Sequence, residues 1–363
     1  MSSTIGKHIT LTIFGESHGE AIGVTLDGIP AGIPLDFEQI LYQMKRRAPG
    51  NHSSATPRKE ADIPRVLSGV LDGVTTGAPM CAVIENTNTR SVDYKNISDV
   101  LRPSHADYTA LARYKGYSDK RGGGHFSGRL TAPLVFAGSV CRQILQRHGI
   151  FIGGHLYAVG GIYDTAIDPM NVDMTELKTL SGEIIAVRDH NKKTEIEQKL
   201  EAARMTHDSV GGIVEVAVTG LPAGIGSPMF YGVEGVLSSY LYAIPAVKAV
   251  EFGDGFGISS LLGSEANDAY TLDKETVKTV TNHCGGILGG ITSGMPLIVR
   301  AGFKPTPSIA KPQKSVNIKT MEETTLEIVG RHDPCVVPRA LPCVEAAVAV
   351  ALCELLADSG FTL

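Results

Sequence analysis

Apolar and polar positions alternate in several stretches of the chain, and this alternation predicts strands. The clearest runs lie at residues 9–14, 22–26, 81–85, 213–219 and 297–301. Successive side chains of a strand point to opposite faces of a sheet, so a period of two residues is typical of a strand with one buried face. We therefore predict strands in all five segments.

Three other segments carry helix signals. Asp36 is expected to cap a helix, because its carboxylate can accept from an unpaired backbone N–H while Gln39 reaches back to it. A second helix is predicted at 132–148, with Pro133 in its first turn. A third, at about 342–357, has apolar residues at helical spacing and is expected to pack in the core.

Pairs of similar segments occur in the same order and indicate an internal duplication. GIPAGI at 28–33 recurs as GLPAGI at 220–225, each after an alternating run. GVLDGVTTGAP at 69–79 resembles GILGGITSGMP at 286–296, and both precede apolar strands. Similarity in register predicts repeated structure.

A third pair completes the repeat. Arg121 and Arg129 bracket a loop that leads into an apolar helical segment, and Arg331 and Arg339 bracket another with the same spacing. We therefore expect a single domain at 1–363, built as two related halves with one shared core. The expected halves are roughly 1–150 and 151–363.

Composition and charge limit the classes of ligand. The 363 residues include 43% hydrophobic and 20% charged residues, which suits a packed globular protein. A net charge of −5 gives no general attraction to nucleic acid. Cations nevertheless outnumber anions at 45–65 and 113–129, which favours a small anionic ligand; a solvated basic surface is the alternative.

The cysteines and the first residues of the chain indicate in which cellular compartment the protein is expected. The six cysteines show neither a CxxC pair nor zinc-ligand spacing, so no metal site is expected and free thiols in a reducing compartment are the simplest account. The first residues lack the basic and long apolar regions of a signal peptide. We expect a cytoplasmic protein that binds neither nucleic acid nor membrane.

The first candidate functional motif, GESHG at 15–19, places an acid, a hydroxyl and an imidazole after a predicted strand. Ser17 and His18 suggest a nucleophile with its base. Adjacent strand residues point to opposite faces, however, and the G-x-S-x-G spacing is absent, which argues against a serine hydrolase. A polar turn without chemistry is the other alternative.

The second motif, RPSHAD at 102–107, contains another histidine. His105 lies between Arg102 and Asp107, an arrangement that could tune its imidazole near neutral pH for proton transfer. A solvent-exposed loop histidine is the alternative.

Two arginine-bracketed motifs follow. RGGGHFSGR at 121–129 combines backbone N–H groups, positive charge and the Ser127 hydroxyl before a helix, which suits a phosphate; tight turns are the alternative. In RHDPCVVPR at 331–339, Asp333 lies between two arginines and is expected to stay ionised and able to accept a proton. A structural ion pair is the alternative there.

These motifs, with others, resemble the chorismate synthase family over nearly the whole chain. The resemblance implies an α+β fold, a β-α-β sandwich with two pseudo-symmetric halves around a shared core, and a homotetramer. The matching segments, in order, are GESHG at 15–19, RPSHAD at 102–107, RGGGHFSGRLTA at 121–132, AVKAVEFGDGF at 246–256, HCGGILGGITSG at 283–294, KPTPS at 304–308 and RHDPCVVPRA at 331–340.

The resemblance also implies a reaction. Members of the family catalyse a 1,4-anti elimination on 5-enolpyruvylshikimate 3-phosphate, which loses phosphate and the C6 hydrogen and gives chorismate in the shikimate pathway of aromatic amino-acid biosynthesis. They require reduced FMN without net oxidation; the flavin donates electron density transiently, and its N5 region helps remove the hydrogen. NADPH or a separate flavin reductase could supply the reduced flavin. A conventional flavin oxidoreductase and a non-catalytic binder of phosphorylated ligands stay open as alternatives.

Residue roles are carried over from the same resemblance. His18 is expected to donate a proton beside the phosphate, His105 to manage flavin protonation, and Asp333 to assist proton removal. The expected substrate-binding residues are Ser17, Arg47, Arg102, Arg129 and Arg339. The expected FMN-binding residues are Arg47, His125, Phe126, Ser127, Ser239, Tyr240, Gly289, Lys304, Pro305, Thr306, Pro307, Ser308 and Arg331.

This chain departs from the family pattern at two places where residue roles are carried over. Many relatives read GGGRSSAR where this chain has GGGHFSGR, so His125 and Phe126 replace an arginine and a serine. Many also have a second arginine where this chain has residues 51–54, and Arg58 is the candidate replacement. We further expect Ser127, Lys304, Gly289 and Arg331 to converge on one pocket.

Overall fold

The computed structural model describes residues 3–49, 62–87, 99–328 and 333–363. The chain forms an α+β structure in which both halves contribute helices and strands. Elements of the first half are β1 Thr4–Ile5, β2 Thr10–Gly15, β3 Ala21–Asp27, α1 Phe37–Arg47, β4 Arg65–Ser68, β5 Val70–Leu71, β6 Val74–Thr75, β7 Met80–Glu85, α2 Asp107–Tyr114 and α3 Thr131–Arg147.

The second half follows from Phe151 and has insertions between its equivalent elements. Its elements are β8 Phe151–Val159, β9 Ile162–Tyr163, α4 Met174–Leu180, α5 His190–Met205, β10 Gly212–Thr219, α6 Val233–Tyr242, β11 Val247–Phe252, α7 Gly263–Ala266, β12 Tyr270–Asp273, β13 Thr276–Thr279, β14 Ile287–Leu288, β15 Ile291–Thr292, β16 Leu297–Phe303, β17 Gln313–Asn317, β18 Glu322–Leu326 and α8 Val337–Asp358.

The two large sheets are built in the same way. One has the strand order β1-β2-β3-β7-β4, and the other, taken from its opposite edge, has the order β9-β8-β10-β16-β11. Their ladders are antiparallel. Strands β2, β3, β7 and β4 therefore correspond to β8, β10, β16 and β11, which is the pairing that the repeated segments predict.

Equivalent threonines fix the repeated turns. The Thr75 hydroxyl accepts from Ile33 N at 2.9 Å and donates to Pro30 O at 2.7 Å. The Thr292 hydroxyl accepts from Ile225 N at 2.9 Å and donates to Pro222 O at 2.7 Å. A buried hydroxyl that both donates and accepts is fully used, so each threonine ties a short hairpin to the turn that follows a central strand.

Helices α3 and α8 lie between the sheets. Helix α3 contacts β2, β3 and β7 on one side and β8 on the other, whereas α8 packs on β8 and β10 and on α1, α3 and α6. Nearly every residue of α8 through Leu356 is buried. It is long and apolar enough to cross a membrane, but 94% of its most apolar window is buried inside the protein, and a core helix has the same composition.

Helix boundaries agree with the sequence in two cases and differ in one. Asp36 caps α1 by accepting from Glu38 N and Gln39 N, and α3 lies within one residue of its predicted span. Helix α8 begins at Val337, several residues before the predicted start. Pro338 lies in the first turn of the helix, where a proline is tolerated, and the helix continues through the buried Pro342.

A buried polar row crosses the second sheet on the face that α4 covers. His155, Glu215 and Arg300 are cross-strand neighbours on β8, β10 and β16. The His155 ring contacts Asp164 Oδ2 at 2.9 Å and Glu215 Oε2 at 2.8 Å. Burial acts to lower the pKa of His155, but the two carboxylates outweigh it and raise the pKa above the ordinary value.

The closest approach of the two central helices depends on Gly138. A Cβ atom there would lie 2.3 Å from the Ala346 Cβ, so the glycine lets α3 and α8 pack backbone to side chain. We predict that Gly138→Ala lowers the free energy of unfolding by about 1–3 kcal/mol, as an overpacked core does. Gly235→Ala on the exposed side of α6, where the new Cβ has room, should be neutral or stabilising by up to ~1 kcal/mol. Denaturant unfolding of both variants measures this, and equal effects would contradict it.

The His155 row predicts a pH-dependent stability difference. We expect His155→Gln to cost about 3–5 kcal/mol where the wild-type imidazole is charged, because the buried carboxylates of Asp164 and Glu215 lose the imidazolium between them, although Glu215 keeps its ion pair with Arg300. The contribution of a raised pKa is complete below the ordinary histidine value of 6.5 and is lost as the pH rises through the native value. The wild-type minus variant difference should therefore shrink at alkaline pH. Denaturant unfolding from pH 5.5 upward tests this, and a constant difference would refute it.

Candidate active site

A cavity of about 470 Å³ opens where the N-terminal ends of α3 and α8 come together. Its volume is within the range of small-molecule sites. Residues from the 15–19, 100–111, 118–131, 244–246, 303–308 and 333–343 segments line it. The cavity thus collects most of the motifs that the sequence singled out.

Positive charge dominates the lining of this cavity. Six cationic side chains face three anionic ones among its described lining residues. The cations are Arg47, Arg102, Lys120, Arg129, Lys304 and Arg339, and the anions are Asp107, Asp119 and Asp333. Since the starts of helices also carry partial positive charge, the cavity favours a small anion.

The GESHG loop places His18 against the glycine-rich loop. Ser17 N donates to Gly124 O at 3.1 Å, and the Ser17 hydroxyl contacts His18 Nδ1 at 3.0 Å. A Cβ at Gly122 would lie 2.2 Å from His18 Cε1, and its φ of +60° is in the left-handed region. Gly122 therefore permits both the turn and the approach of the imidazole.

His125 and Asn86 hold the same loop from outside the cavity. His125 Nδ1 donates to Gly15 O at 2.8 Å, since a carbonyl can only accept, and its Nε2 contacts the Ser3 hydroxyl at 2.7 Å. The Asn86 amide donates to Glu16 O and Gly19 O, both at 3.0 Å. His125 therefore supports the loop in this chain, whereas its neighbour Phe126 lines the cavity and is 43% exposed.

Arg47 and Arg129 share one buried carboxylate. Arg47 Nη1 donates to Asp62 Oδ2 at 2.6 Å, and Arg129 Nη1 donates to Asp62 Oδ1. Arg47 also donates to Thr131 Oγ1 and Gly128 O, each at 3.0 Å. All three charged groups are buried, so the two cations are held in fixed positions at the cavity wall.

Asp107 pairs with Arg102, whereas the hydrogen-bond partner of His105 is Ser308. Arg102 donates to both Asp107 oxygens, at 2.8 and 2.7 Å. Burial acts to raise the pKa of Asp107, but the hydrogen bond and charge of Arg102 outweigh it and hold the pKa below its usual value. His105 Nε2 lies 2.7 Å from the Ser308 hydroxyl. The sequence suggested that Arg102 and Asp107 together would tune His105; Asp107 is in fact bound by Arg102 through two hydrogen bonds, and the charge of His105 also acts on the Asp107 carboxylate.

Asp333 and Arg339 form an ion pair at the start of α8. Arg339 Nη1 donates to Asp333 Oδ2 at 2.5 Å, and Arg339 Nε donates to Arg47 O at 3.1 Å. Burial and the Arg47 charge lower the pKa of Arg339, while Asp333 acts in the opposite direction. The aspartate expected to accept a proton thus lies at the cavity wall beside a fixed cation.

Lys304 enters the cavity from the end of β16. Its Nζ donates to Ser104 O at 2.6 Å, close to His105 in the chain, and burial and the charge of Lys248 lower its pKa. Lys304 N donates to Ala246 O, and Ala246 has a φ of +75°. Ile244, Pro245 and Ala246 line the cavity beside it. No chemical signal marks these three residues, although Ala246 opens one of the family-like segments.

Most of the predicted site residues are brought together in this cavity. Those that line it are Ser17, His18, Arg47, Arg102, His105, Phe126, Ser127, Arg129, Lys304, Thr306, Pro307, Ser308, Asp333 and Arg339. Predicted residues that are not among its lining are His125, Ser239, Tyr240, Gly289 and Pro305. Arg331 and Arg58 lie outside the described residues.

We expected Ser127, Lys304 and Gly289 to line one pocket. Within one chain, Ser127 and Lys304 line the cavity but Gly289 does not. Gly289 lies at the β14–β15 turn, and the adjacent Gly290 packs on the segment before α6. Tyr240 is 3% exposed because it faces the core from α6. Sequence reasoning also missed Asp62 and Asn86, since neither belongs to a motif with a recognisable spacing.

Comparison with known proteins identifies the family of the chain. A model of the family described as chorismate synthase matches residues 9–357. Chorismate synthase of Thermococcus kodakarensis is 46% identical over 349 residues, with 96% of each chain covered. That of Dehalococcoides mccartyi is 43% identical over 360 residues, covering 99% of this chain and 98% of the relative. A crystal structure of chorismate synthase covers 98% of this chain and 93% of its own, with a TM-score of 0.75 and 24% identity.

That structural match confirms the α+β sandwich fold. The fold and the sequence relatives together define the class, which is a carbon–oxygen lyase acting on phosphates. The chain belongs to the chorismate synthase family.

The Gly122 contact leads to a prediction for catalysis. In Gly122→Ala the new methyl group would overlap the His18 ring and displace it. Misplacing a reacting group by about 1 Å can cost about 10²-fold in rate, so we expect turnover to fall by about that factor. Gly161→Ala is the matched control, because Gly161 has a φ of +85° but open space around its Cβ position. Steady-state turnover of the two variants separates the contact from backbone strain. Similar activities would show that the His18 contact is unimportant.

Proposed function

We propose that the protein eliminates phosphate from 5-enolpyruvylshikimate 3-phosphate to form chorismate, in the shikimate pathway of aromatic amino-acid biosynthesis. One observation carries the proposal. His18, His105 and Asp333 come from distant segments and line the same cationic cavity. Such a group supports acid–base chemistry on an anionic ligand more than simple binding.

The cavity fits reduced FMN as the bound cofactor. A phosphorylated ring needs cationic and hydroxyl donors for its phosphate and a flat apolar contact for the ring. Ser127 at the approach to α3, together with Lys304, Thr306 and Ser308, would hold the polar groups, and Phe126 offers its exposed ring. When bound, the reduced flavin supplies electron density to the elimination without net oxidation.

The arginine wall suits the anionic groups of the substrate. Arg47, Arg129 and Arg339 are fixed by hydrogen bonds to the protein, so they can bind carboxylate and phosphate without reorganising. In this proposal they stabilise the departing phosphate, while His18, held by Ser17, donates a proton beside it. His105, held by Ser308, adjusts the protonation of the cofactor site.

Asp333 serves in the proposal as the group that assists removal of the C6 proton. The Arg339 guanidinium donates to it at 2.5 Å, which holds the carboxylate at the cavity wall. The proposal places catalysis in a cytoplasmic homotetramer that uses its own NADPH-dependent flavin reduction or a separate reductase. These assembly and reduction steps follow from the family resemblance.

A direct assay tests the proposed reaction. The protein is incubated anaerobically with 5-enolpyruvylshikimate 3-phosphate and chemically reduced FMN, and chorismate and phosphate are followed together. Equimolar release of both products, without consumption of a reductant, is the expected result. A conventional flavin oxidoreductase would consume NAD(P)H in proportion to substrate, and a binding protein would release no phosphate.

We predict that Asp333→Asn lowers kcat by roughly 10²–10⁴-fold and leaves binding of reduced FMN largely intact. Asparagine can still accept from Arg339 but cannot take up a proton. His18→Ala and His105→Ala should also impair turnover, with partial replacement by solvent. Single-turnover chorismate formation with reduced FMN supplied measures the chemical step.

Asp208→Asn is the control for the loss of a carboxylate. Asp208 pairs with Lys311 through an exposed contact of 2.7 Å and does not line the cavity. A near-normal single-turnover rate for Asp333→Asn would remove Asp333 from the mechanism and leave it as a structural partner of Arg339.

A further inference from the structure

Asp62 is a buried carboxylate that none of the recognised motifs contains. It is 2% exposed and lies just before β4, with a φ of +48°. The cavity lining does not include it, so it stands behind the wall rather than in it. Its two oxygens point to two different arginines of that wall.

Asp62 neutralises and orients the guanidinium groups of Arg47 and Arg129. Both guanidinium groups are buried, at 4% and 8% exposure, and would repel each other without an anion between them. Asp62 accepts one hydrogen bond from each at a separate oxygen. It therefore sets the separation and the orientation of the two planar groups together, which a partner for only one of them could not do.

Each arginine also has neutral anchors that complete its position. Arg47 donates to Thr131 and Gly128, at the start of α3, and Arg129 donates to Asn86 and to the Glu85 carbonyl, at the end of β7. The Asp62 carboxylate is the shared element of these two sets. Among the described residues, this set combines two cations with one anion.

We propose that Asp62 is a positioning residue for substrate binding, which fixes Arg47 and Arg129 as one rigid receptor for an anionic group of the substrate. This inference rests on the proposed function for the identity of the substrate. Asp62 neither lines the cavity nor contacts the acid–base residues. Substituting it should therefore weaken substrate binding more than it slows the chemical step.

Asp62→Asn tests this most directly. An amide keeps the shape of the side chain, but its NH₂ group faces an arginine donor, so one guanidinium loses its acceptor. We expect KM for the phosphorylated substrate to rise about 10–100-fold, with kcat within a few-fold of wild type. The inhibition constant of inorganic phosphate, used as a competing anion, should rise in parallel.

Glu345→Gln is the matched control. Glu345 is also a buried carboxylate between two arginines, Arg46 and Arg142, but neither of those lines the cavity. Both variants should lose thermal stability, because each removes a buried negative charge from a paired set. Only Asp62→Asn should raise KM. Equal KM values for the two variants, with both folded, would overturn the proposal.

Asp62→Glu keeps the inference testable if the asparagine variant does not fold. It restores the charge with one additional methylene, so KM should lie between those of wild type and Asp62→Asn, and a wild-type KM would refute fixed positioning. Calorimetric binding of the phosphorylated substrate separates this inference from the proposed reaction. Wild-type protein that binds the substrate without forming chorismate would refute the reaction, whereas unchanged affinity in both Asp62 variants would refute the role of Asp62.

Discussion

The close packing of α3 against α8 is the constraint on which the rest of the molecule depends. Each sheet has an inner face, and the two helices cover both inner faces from the middle layer. Gly138 lets the helices approach at Ala346. Since both helices begin at the cavity, their distance also sets the distance between Arg129, just before α3, and Arg339, in the first turn of α8.

A site formed at the ends of buried helices has a particular electrostatic character. The first turns of α3 and α8 leave backbone N–H groups without helical acceptors, and arginines add full charges beside them. Concentrated positive charge in a partly buried cavity is costly unless it is balanced. Asp62, Asp107 and Asp333 provide that balance, each through a hydrogen bond to an arginine. The result is a cavity that is cationic and yet rigid before any ligand binds.

The sequence was most informative where one interaction is repeated or strictly local. The repeated GIPAGI-like turns predicted matching halves, and the buried Thr75 and Thr292 hydroxyls make equivalent hydrogen bonds to the two turns. The Asp36 cap was predictable because it involves only neighbouring residues. Contacts between segments that are distant along the chain were harder to predict. Nothing in the local sequence links Ser308 to His105, or Asp62 to Arg129, because both contacts arise from tertiary packing.

The position of Tyr240 outside the cavity lining has a similar physical origin. Tyr240 lies on a helix that has one face in the core, and a shift of a few residues along such a helix changes which side chain is buried. The cavity is instead reached just after α6, where Ile244, Pro245 and Ala246 turn towards β11. Small apolar residues leave no chemical pattern, so only the fold could reveal them.

The predicted duplication would account for the similar strand orders of the two sheets but not for the chemistry. Both halves supply an arginine near the beginning of a central helix, so the repeated fold by itself would give a symmetric pair of cations. The sequences around them differ, however. The first half surrounds Arg129 with glycines and the remote Asp62, which favours close approach and anion binding. In the second, Asp333, just before α8, pairs with Arg339 in the first turn of that helix, which places a carboxylate at the wall. The two halves therefore bring different groups to the same cavity, and the proposed elimination, which removes a proton and a phosphate from different positions of the substrate, requires such a difference.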